Sequence, residues 1–320
     1  MKILFFGDGK WAANSLLRLH QEGWTVQGVV VRTRPTDSSL TIAADELGLA
    51  VWQPERVNAP EFVEQVVKLA PDLCVSVSYD QILRNSLRNV APKGFINLHA
   101  GKLPLYRGRN VVNWALINGE TEIGVTSHFL DDGIDTGDII LQQTLPISWT
   151  DTYGDVLERV VEKIPDLVIN SVSLIARGEV QRQPQAHLPG TYFPARGPGD
   201  EWLDWSDTSR NLHNKIRAIT HPGPGARTTL KSRVVIIWRG FYDPSWPNYI
   251  ATPGQVVGRV EGRGVIVKTG DSTVILEEVQ FEDDESACLP EWSIGTRLGI
   301  DLAQTLRSLE VSTTARQSRE

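Results

Sequence analysis

The chain is poor in cysteine: Cys74 and Cys288 are the two among 320 residues. Two thiols make neither a disulfide framework nor a metal cluster. Both are read as free thiols in a reducing, cytoplasmic setting. No apolar run approaches the roughly 20 residues that cross a bilayer, so no membrane partner is expected. The opening stretch, MKILFFGDGKW, lacks the apolar core of a signal peptide and reads as the start of a strand. Positive charge is not in excess either. The formal net charge is -7. From residue 201 on, 16 acidic residues face 14 basic ones, a balance of -2. A protein that grips nucleic-acid phosphates leans basic, and the run Glu282, Asp283, Asp284, Glu285 is a poor surface for RNA. No nucleic-acid partner is therefore expected. Internal repeats and low-complexity tracts are also missing.

What is present is ordinary globular composition, 41% hydrophobic and 22% charged, in a chain long enough for two domains. The apolar runs KILFFG, WTVQGVVV, DLCVSVS and GFINLH read as strands, with helical segments at 11–22 and in EFVEQVVKLA. VVNWALING reads as a helix ending at Gly119, and GVTSHFL and DIILQQTLPI as two more strands. From 152 to 177 an amphipathic helix places Leu157, Val160, Val161, Ile164, Leu167, Val168 and Val172 on one side. Unbroken apolar strands alternating with helices predict a mostly parallel sheet covered on both faces. The Pro- and Gly-rich stretch QPQAHLPGTYFPARGPGDEW reads as a connector. Beyond it, VVIIWRG, GQVVGRV, GVIVKT and STVILEEVQF are short strands joined by tight turns, which suggest a small barrel. The expected fold is thus an α/β, Rossmann-like sheet of about seven strands followed by an OB-like barrel. The expected domains are 1–185, a linker 186–203, a C-terminal domain 204–305 and a polar tail 306–320.

Two features carry chemistry. The first is Gly7-Asp8-Gly9-Lys10-Trp11-Ala12, which fits the dinucleotide pattern G-x-G-x-x-G/A between a strand and a helix. The acidic partner about 20 residues on is missing, and Arg32 and Arg34 stand there instead. An NADP-binding oxidoreductase remains an alternative, against a plain tight turn. The second is Asn97 and His99, two residues apart in a strand and so on one face near its C-terminal end. An imidazole can take a proton from an amine. An amide N–H can stabilise an oxyanion on a tetrahedral carbon. A carboxylate can fix the imidazole and favour its charged form. Asp131, Asp132, Asp135 and Asp138 all lie in the loop DDGIDTGD, and the pattern does not choose among them. The competing reading is structural: His99 caps the strand and Asn97 satisfies turn backbone.

The stretch INLHAGKLPLYRGRNVVNWALINGETEIGVTSHFLDDGIDTGDII resembles the formyltransferases that use N10-formyltetrahydrofolate, whose hallmark is an Asn, a His two residues later and an Asp in a downstream loop. The resemblance implies that Asn97, His99 and Asp135 are catalytic, that no metal is needed, and that the co-substrate is N10-formyltetrahydrofolate. It places Ser78, Tyr79, Asp80, Gln81, Ile82 and Leu83 in the folate loop, and Asp131, Asp132 and Gly133 are also expected to bind the folate. LHNKIRAITHPGPGA resembles the opening of the family's C-terminal domain. HAGKLP and YRGRN are similar to the amino-sugar N-formyltransferases. The expected acceptor is therefore a dTDP-, UDP- or GDP-linked amino sugar, held by Gly9, Lys10, Trp11, Arg107, Arg109 and Asn110, in an enzyme expected to be a homodimer. Asn110 is expected to cap the next helix. The alternatives are methionyl-tRNA formyltransferase, the NADP-binding oxidoreductase, and a non-catalytic folate-binding relative, against which the intact Asn/His/Asp set speaks.

Overall fold

The computed structural model describes residues 1–299. The expected tail 306–320 and the last six residues of the expected C-terminal domain lie outside the described residues. Two compact units divide the chain. The first comprises Met1–Ala115, Glu120–Trp149 and Asp155–Arg196. The second comprises Leu116–Gly119, Thr150–Gly154 and the chain from Gly197 on.

The first unit begins with β1 (Lys2–Gly7), α1 (Gly9–Gln21), β2 (Thr25–Val31), α2 (Ser39–Glu46), β3 (Ala50–Trp52), α3 (Pro60–Leu69), β4 (Leu73–Val77) and α4 (Asn85–Arg88). It continues with β5 (Phe95–His99), β6 (Arg107–Gly108), α5 (Val111–Ile117), β7 (Glu122–Phe129), β8 (Ile139–Pro146), α6 (Tyr153–Arg177) and β9 (Tyr192–Phe193). Seven of these strands form one sheet in the order β3-β2-β1-β4-β5-β7-β8. The pairings from β3 to β5 are parallel, whereas β7 runs antiparallel to both β5 and β8. The central strands are the unbroken apolar runs, because both their faces are covered: all five residues of β4 are buried. One core cluster gathers Leu4, Phe6, Val30, Phe62, Cys74 and Phe95, with Tyr79 packed against it. Strand order reverses between β1 and β4, so the carboxyl ends of those strands open the crevice where α/β sheets bind ligands. α6 buries Val156, Val160, Ile164, Leu167, Val168 and Val172. Its buried stripe is shifted from the expected one, since Leu157 and Val161 are half-exposed while Val156, Ser171 and Ile175 are buried.

The second unit holds α7 (Ser209–Ile219), β10 (Ala226–Leu230), β11 (Arg233–Phe241), β12 (Val256–Val260), β13 (Gly264–Lys268) and β14 (Thr273–Phe281). Its antiparallel sheet has the order β10-β11-β14-β13-β12. Residues 296–299 bond to both edges: Val256 N donates to Thr296 O, Leu298 N to Gly254 O and Gly299 N to Thr229 O. That segment bridges the end of β10 to the start of β12, joining the two outer strands as in a small barrel. Thr208 caps α7 by accepting from Asn211 N.

Candidate active site

Antiparallel pairing of β5 with β7 sets Asn97 opposite His128 and His99 opposite Thr126. Directly opposed residues share a face, so four polar side chains gather at the end of a buried sheet. Asp135 joins them from the β7–β8 loop. Its Oδ2 lies 3.6 Å from His99 Nδ1 and accepts from Gly108 N at 2.9 Å. Its Oδ1 lies 3.5 Å from His128 Nε2. His128 Nε2 is in turn 3.4 Å from Asn97 Nδ2. One carboxylate therefore stands between two imidazoles, and the second imidazole holds the amide.

The neighbours assign the protons. His128 Nδ1 donates to Phe129 O at 2.8 Å, so its Nε2 carries the lone pair and accepts from Asn97. That contact uses one amide hydrogen of Asn97 and leaves the other for a ligand oxygen. His99 Nε2 donates to Tyr106 O at 2.6 Å, which leaves the lone pair on Nδ1, beside Asp135. Burial pushes the Asp135 carboxyl upward. In their protonated forms, His99 by its charge and His128 by its hydrogen bond and charge act with the Gly108 N–H to outweigh it and hold the group below the usual carboxylate range. Asp135 is itself in the left-handed region, φ 54. The turn after His99 is braced by Thr126 Oγ1, which donates to Gly101 O at 2.7 Å, and by Gln142 Nε2, which donates to Leu103 O and Thr126 Oγ1. A Cβ on Gly101 would sit 2.4 Å from both His99 Nε2 and Tyr106 O, so the glycine lets the imidazole meet that carbonyl.

The structure thus brings together Asn97, His99 and Asp135 and selects Asp135 from the four aspartates of its loop. Asp131 Oδ1 accepts from Gly133 N and Thr136 Oγ1, inside its own loop. Asp132 pairs with Arg88, whose hydrogen bond and charge lower its carboxyl. Asp138 lies 3.9 Å from Arg182. His128 was not foreseen. Its signal was a histidine inside the apolar run GVTSHFL, legible only once β7 is set antiparallel to β5.

The loop 78–83 leaves β4 at the crevice. Ser78 has φ 61 and accepts from Arg32 through its carbonyl and hydroxyl. Tyr79 packs edge-on against Phe6; burial, with the charge of Asp80, pushes its hydroxyl upward against the effect of Arg32. Gln81 accepts from Val57 N and donates to Pro54 O, and Asn58 donates to Ile82 O. Leu83 is in the core, while Ile82 projects to solvent.

Two expected acceptor residues are corrected. Arg107 is 1% exposed, and its guanidinium donates to Gln185 Oε1 and Ala186 O, so it presents no charge to a diphosphate. Asn110 does not cap α5 with its side chain, whose Oδ1 instead accepts from Arg196 N. Arg109 is exposed, yet its Nη2 donates to Asp80 O, tying the acceptor loop to the 78–83 loop. Gly9 opens α1 with φ 69, Lys10 is exposed and Trp11 is half-buried. The dinucleotide alternative also loses its ground. Asp8 is buried in the glycine turn and accepts from Thr36 N and Oγ1, and Arg32 pairs with it at 3.2 Å. An anion-binding turn does not hold a buried carboxylate there. Among the described residues, no group of three or more His, Cys, Asp or Glu is placed to hold a metal ion, and no helix is long and apolar enough to cross a membrane.

Comparison with known proteins settles the family. Residues 1–172 match the family described as formyl transferase, and residues 197–297 match its C-terminal domain. The methionyl-tRNA formyltransferase of Symbiobacterium thermophilum is 36% identical over 290 residues, covering 88% of each chain. That of Ruminiclostridium cellulolyticum is 31% identical over 306 residues, covering 93% of this chain and 97% of its own. Among solved structures, an N-formyltransferase from Helicobacter canadensis, in complex with folinic acid and dTDP-3-aminofucose, superposes with a TM-score of 0.68. It shares 21% identity and covers 87% of this chain and 99% of its own, a likeness of fold. The expectation of an amino-sugar acceptor is overturned by these relatives, because the end-to-end sequence matches carry another acceptor in their name. The oxidoreductase alternative falls with it. On both its domains, this chain belongs to the formyl transferase family.

Proposed function

We propose that this protein transfers the formyl group of N10-formyltetrahydrofolate to the α-amine of methionine esterified to tRNA. One observation carries the reading: relatives named for that reaction match through both domains at 31–36% identity. The site supplies the chemistry that the reaction needs. The amine attacks the formyl carbon, and the carbonyl electrons move onto oxygen. The free Asn97 Nδ2–H donates to that oxyanion. The amine proton passes to His99 Nδ1, and the imidazolium so formed lies beside Asp135 Oδ2, with its Nε2–H still on Tyr106 O. The carbonyl re-forms, the bond to the folate N10 breaks, and that nitrogen leaves with the electron pair and takes a proton from His99. The products are the N-formylated ester and tetrahydrofolate. The 78–83 loop, at the strand-order reversal, is the place for the folate.

An RNA acceptor sets aside the expectation of no nucleic-acid partner, which rested on a charge sum. Three of the four acidic residues of that run pair with arginines, Glu282 with Arg227 and Asp283 and Asp284 with Arg233. The test incubates the purified protein with N10-formyltetrahydrofolate and charged initiator tRNA and reads formylmethionine by mass after hydrolysis of the ester. Formylation is expected, falling roughly 100- to 1000-fold in Asn97→Ala, the loss typical of one oxyanion donor. Formylation of a dTDP-linked amino sugar with none of the tRNA would overturn the reading.

A further inference from the structure

We propose that Gln185, held by Arg107, is a positioning residue for Asp135. The inference rests on the reading of Asp135 as the group that supports His99.

Gln185 lies eight residues past the end of α6, in the stretch first read as a connector, and it is buried. Its amide is used on every side. Nε2 donates to Asp135 O at 3.0 Å and to Gly137 O at 2.7 Å. Oε1 accepts from Arg107 Nε at 3.2 Å and from Arg107 Nη2 at 2.9 Å. A side-chain amide has two donors and two acceptor sites, and here all four are filled by two loops. One is the β7–β8 loop that carries Asp135. The other is the 104–110 loop, whose Gly108 N–H donates to the Asp135 carboxylate. Gln185 therefore reaches Asp135 twice. It holds the backbone of Asp135 directly through the carbonyl, and it holds the side chain indirectly, through Arg107 and Gly108.

Three further features make this a bracket for a demanding geometry rather than a general brace. Asp135 sits at φ 54, a backbone state that an L residue keeps only where surrounding contacts impose it. Its carbonyl belongs to neither β7 nor β8, and Gln185 supplies its donor. Arg107 is anchored independently of Gln185, because its Nη2 donates to Ala186 O and its backbone N to Thr191 O in the β6–β9 pairing. The same segment, 185–193, thereby fixes the height of Gly108 and of Asp135 relative to each other. That relation sets the Gly108 N to Asp135 Oδ2 distance, and with it the aim of the carboxylate at His99.

The experiment is a double-mutant cycle on the full chain, with kcat and the folate KM measured separately. Gln185→Glu keeps an acceptor for Arg107 and turns an oxygen onto the two carbonyls. It is expected to lower kcat by roughly 10- to 100-fold, the scale of a misplaced catalytic group, with KM changed by less than about twofold. Arg107→Lys, which loses the two-pronged grip on Gln185, is expected to give a smaller loss of the same kind. In an Asp135→Asn background both substitutions are expected to cost less than about twofold, because the group they position is gone. Losses that multiply undiminished with Asp135→Asn, or that fall on KM and kcat alike, overturn the proposal and leave Gln185 a structural residue. Should Gln185→Glu not fold, Gln185→Met is read the same way, and unfolding of both variants overturns the proposal too. If Asp135→Asn alone keeps normal kcat, the role given to Asp135 fails first, a result distinct from additivity in an impaired background.

Discussion

Asp135 shows how a single residue is set by opposing effects. Burial raises its carboxyl, and the surrounding histidines and the Gly108 N–H lower it further than burial raises it. A carboxylate whose folded value is depressed contributes stability that is present above its unfolded value, near 3.9, and lost as pH falls through the folded one. Asp135 is therefore ionised across the whole neutral and mildly acid range, so titration of this group does not limit activity there. Thermal unfolding of wild type and Asp135→Asn, followed from pH 7 downward, is expected to show wild type ahead. The gap should persist from pH 7 to pH 5 and narrow only below about pH 4. A gap closing between pH 7 and 5 would show that Asp135 takes up its proton there and is not the stabilised carboxylate described.

At the scale of elements, what was legible in the sequence is what local pattern determines. The runs KILFFG, DLCVSVS and GFINLH are strands because unbroken apolar sequence of that length is buried on both faces. His128 was illegible because it needs the direction of β7, and strand direction is a property of pairing rather than of the run. β6 and β9 are two residues each and exist only through one another, so no local signal announced them. Gln185 was hidden the same way, 50 residues from the aspartate it holds. The β6–β9 pair gives a prediction at this scale. Gly108 has φ 102, and a Cβ there would lie 2.2 Å from Phe193 O. Both the backbone state and the contact exclude a side chain, so Gly108→Ala must part the two strands. It is expected to cost about 1–3 kcal/mol in thermal unfolding and to open 183–196 to limited proteolysis. An unchanged Tm with an intact segment would mean that the pairing contributes nothing to the fold.

For the molecule as a whole, the charges of the second unit are largely answered within it. Of the acidic groups from Glu277 to Asp284, five face arginines of their own barrel: Glu277 and Glu278 meet Arg239, Glu277 also meets Arg263, and the rest meet Arg227 and Arg233. The thin cysteine content, by contrast, gives a global probe. Cys74 lies in β4, at the centre of the seven-stranded sheet, and burial pushes its thiol up to about 12. The thiolate is the reactive form, so at neutral pH Cys74 is protected by protonation as well as by sterics. Cys288 is exposed in the second unit. A chromogenic disulfide reagent is therefore expected to count one thiol per native chain, rapidly, and two in denaturant. The slow native reaction of Cys74 then reports opening of the central sheet, and its rate should rise with denaturant in step with loss of the far-ultraviolet signal. Two fast thiols in the native protein would mean that β4 opens locally, at odds with a strand whose five residues are all buried. The same count separates failure of folding from failure of chemistry in the active-site variants, since a folded but inactive chain still shows one fast thiol.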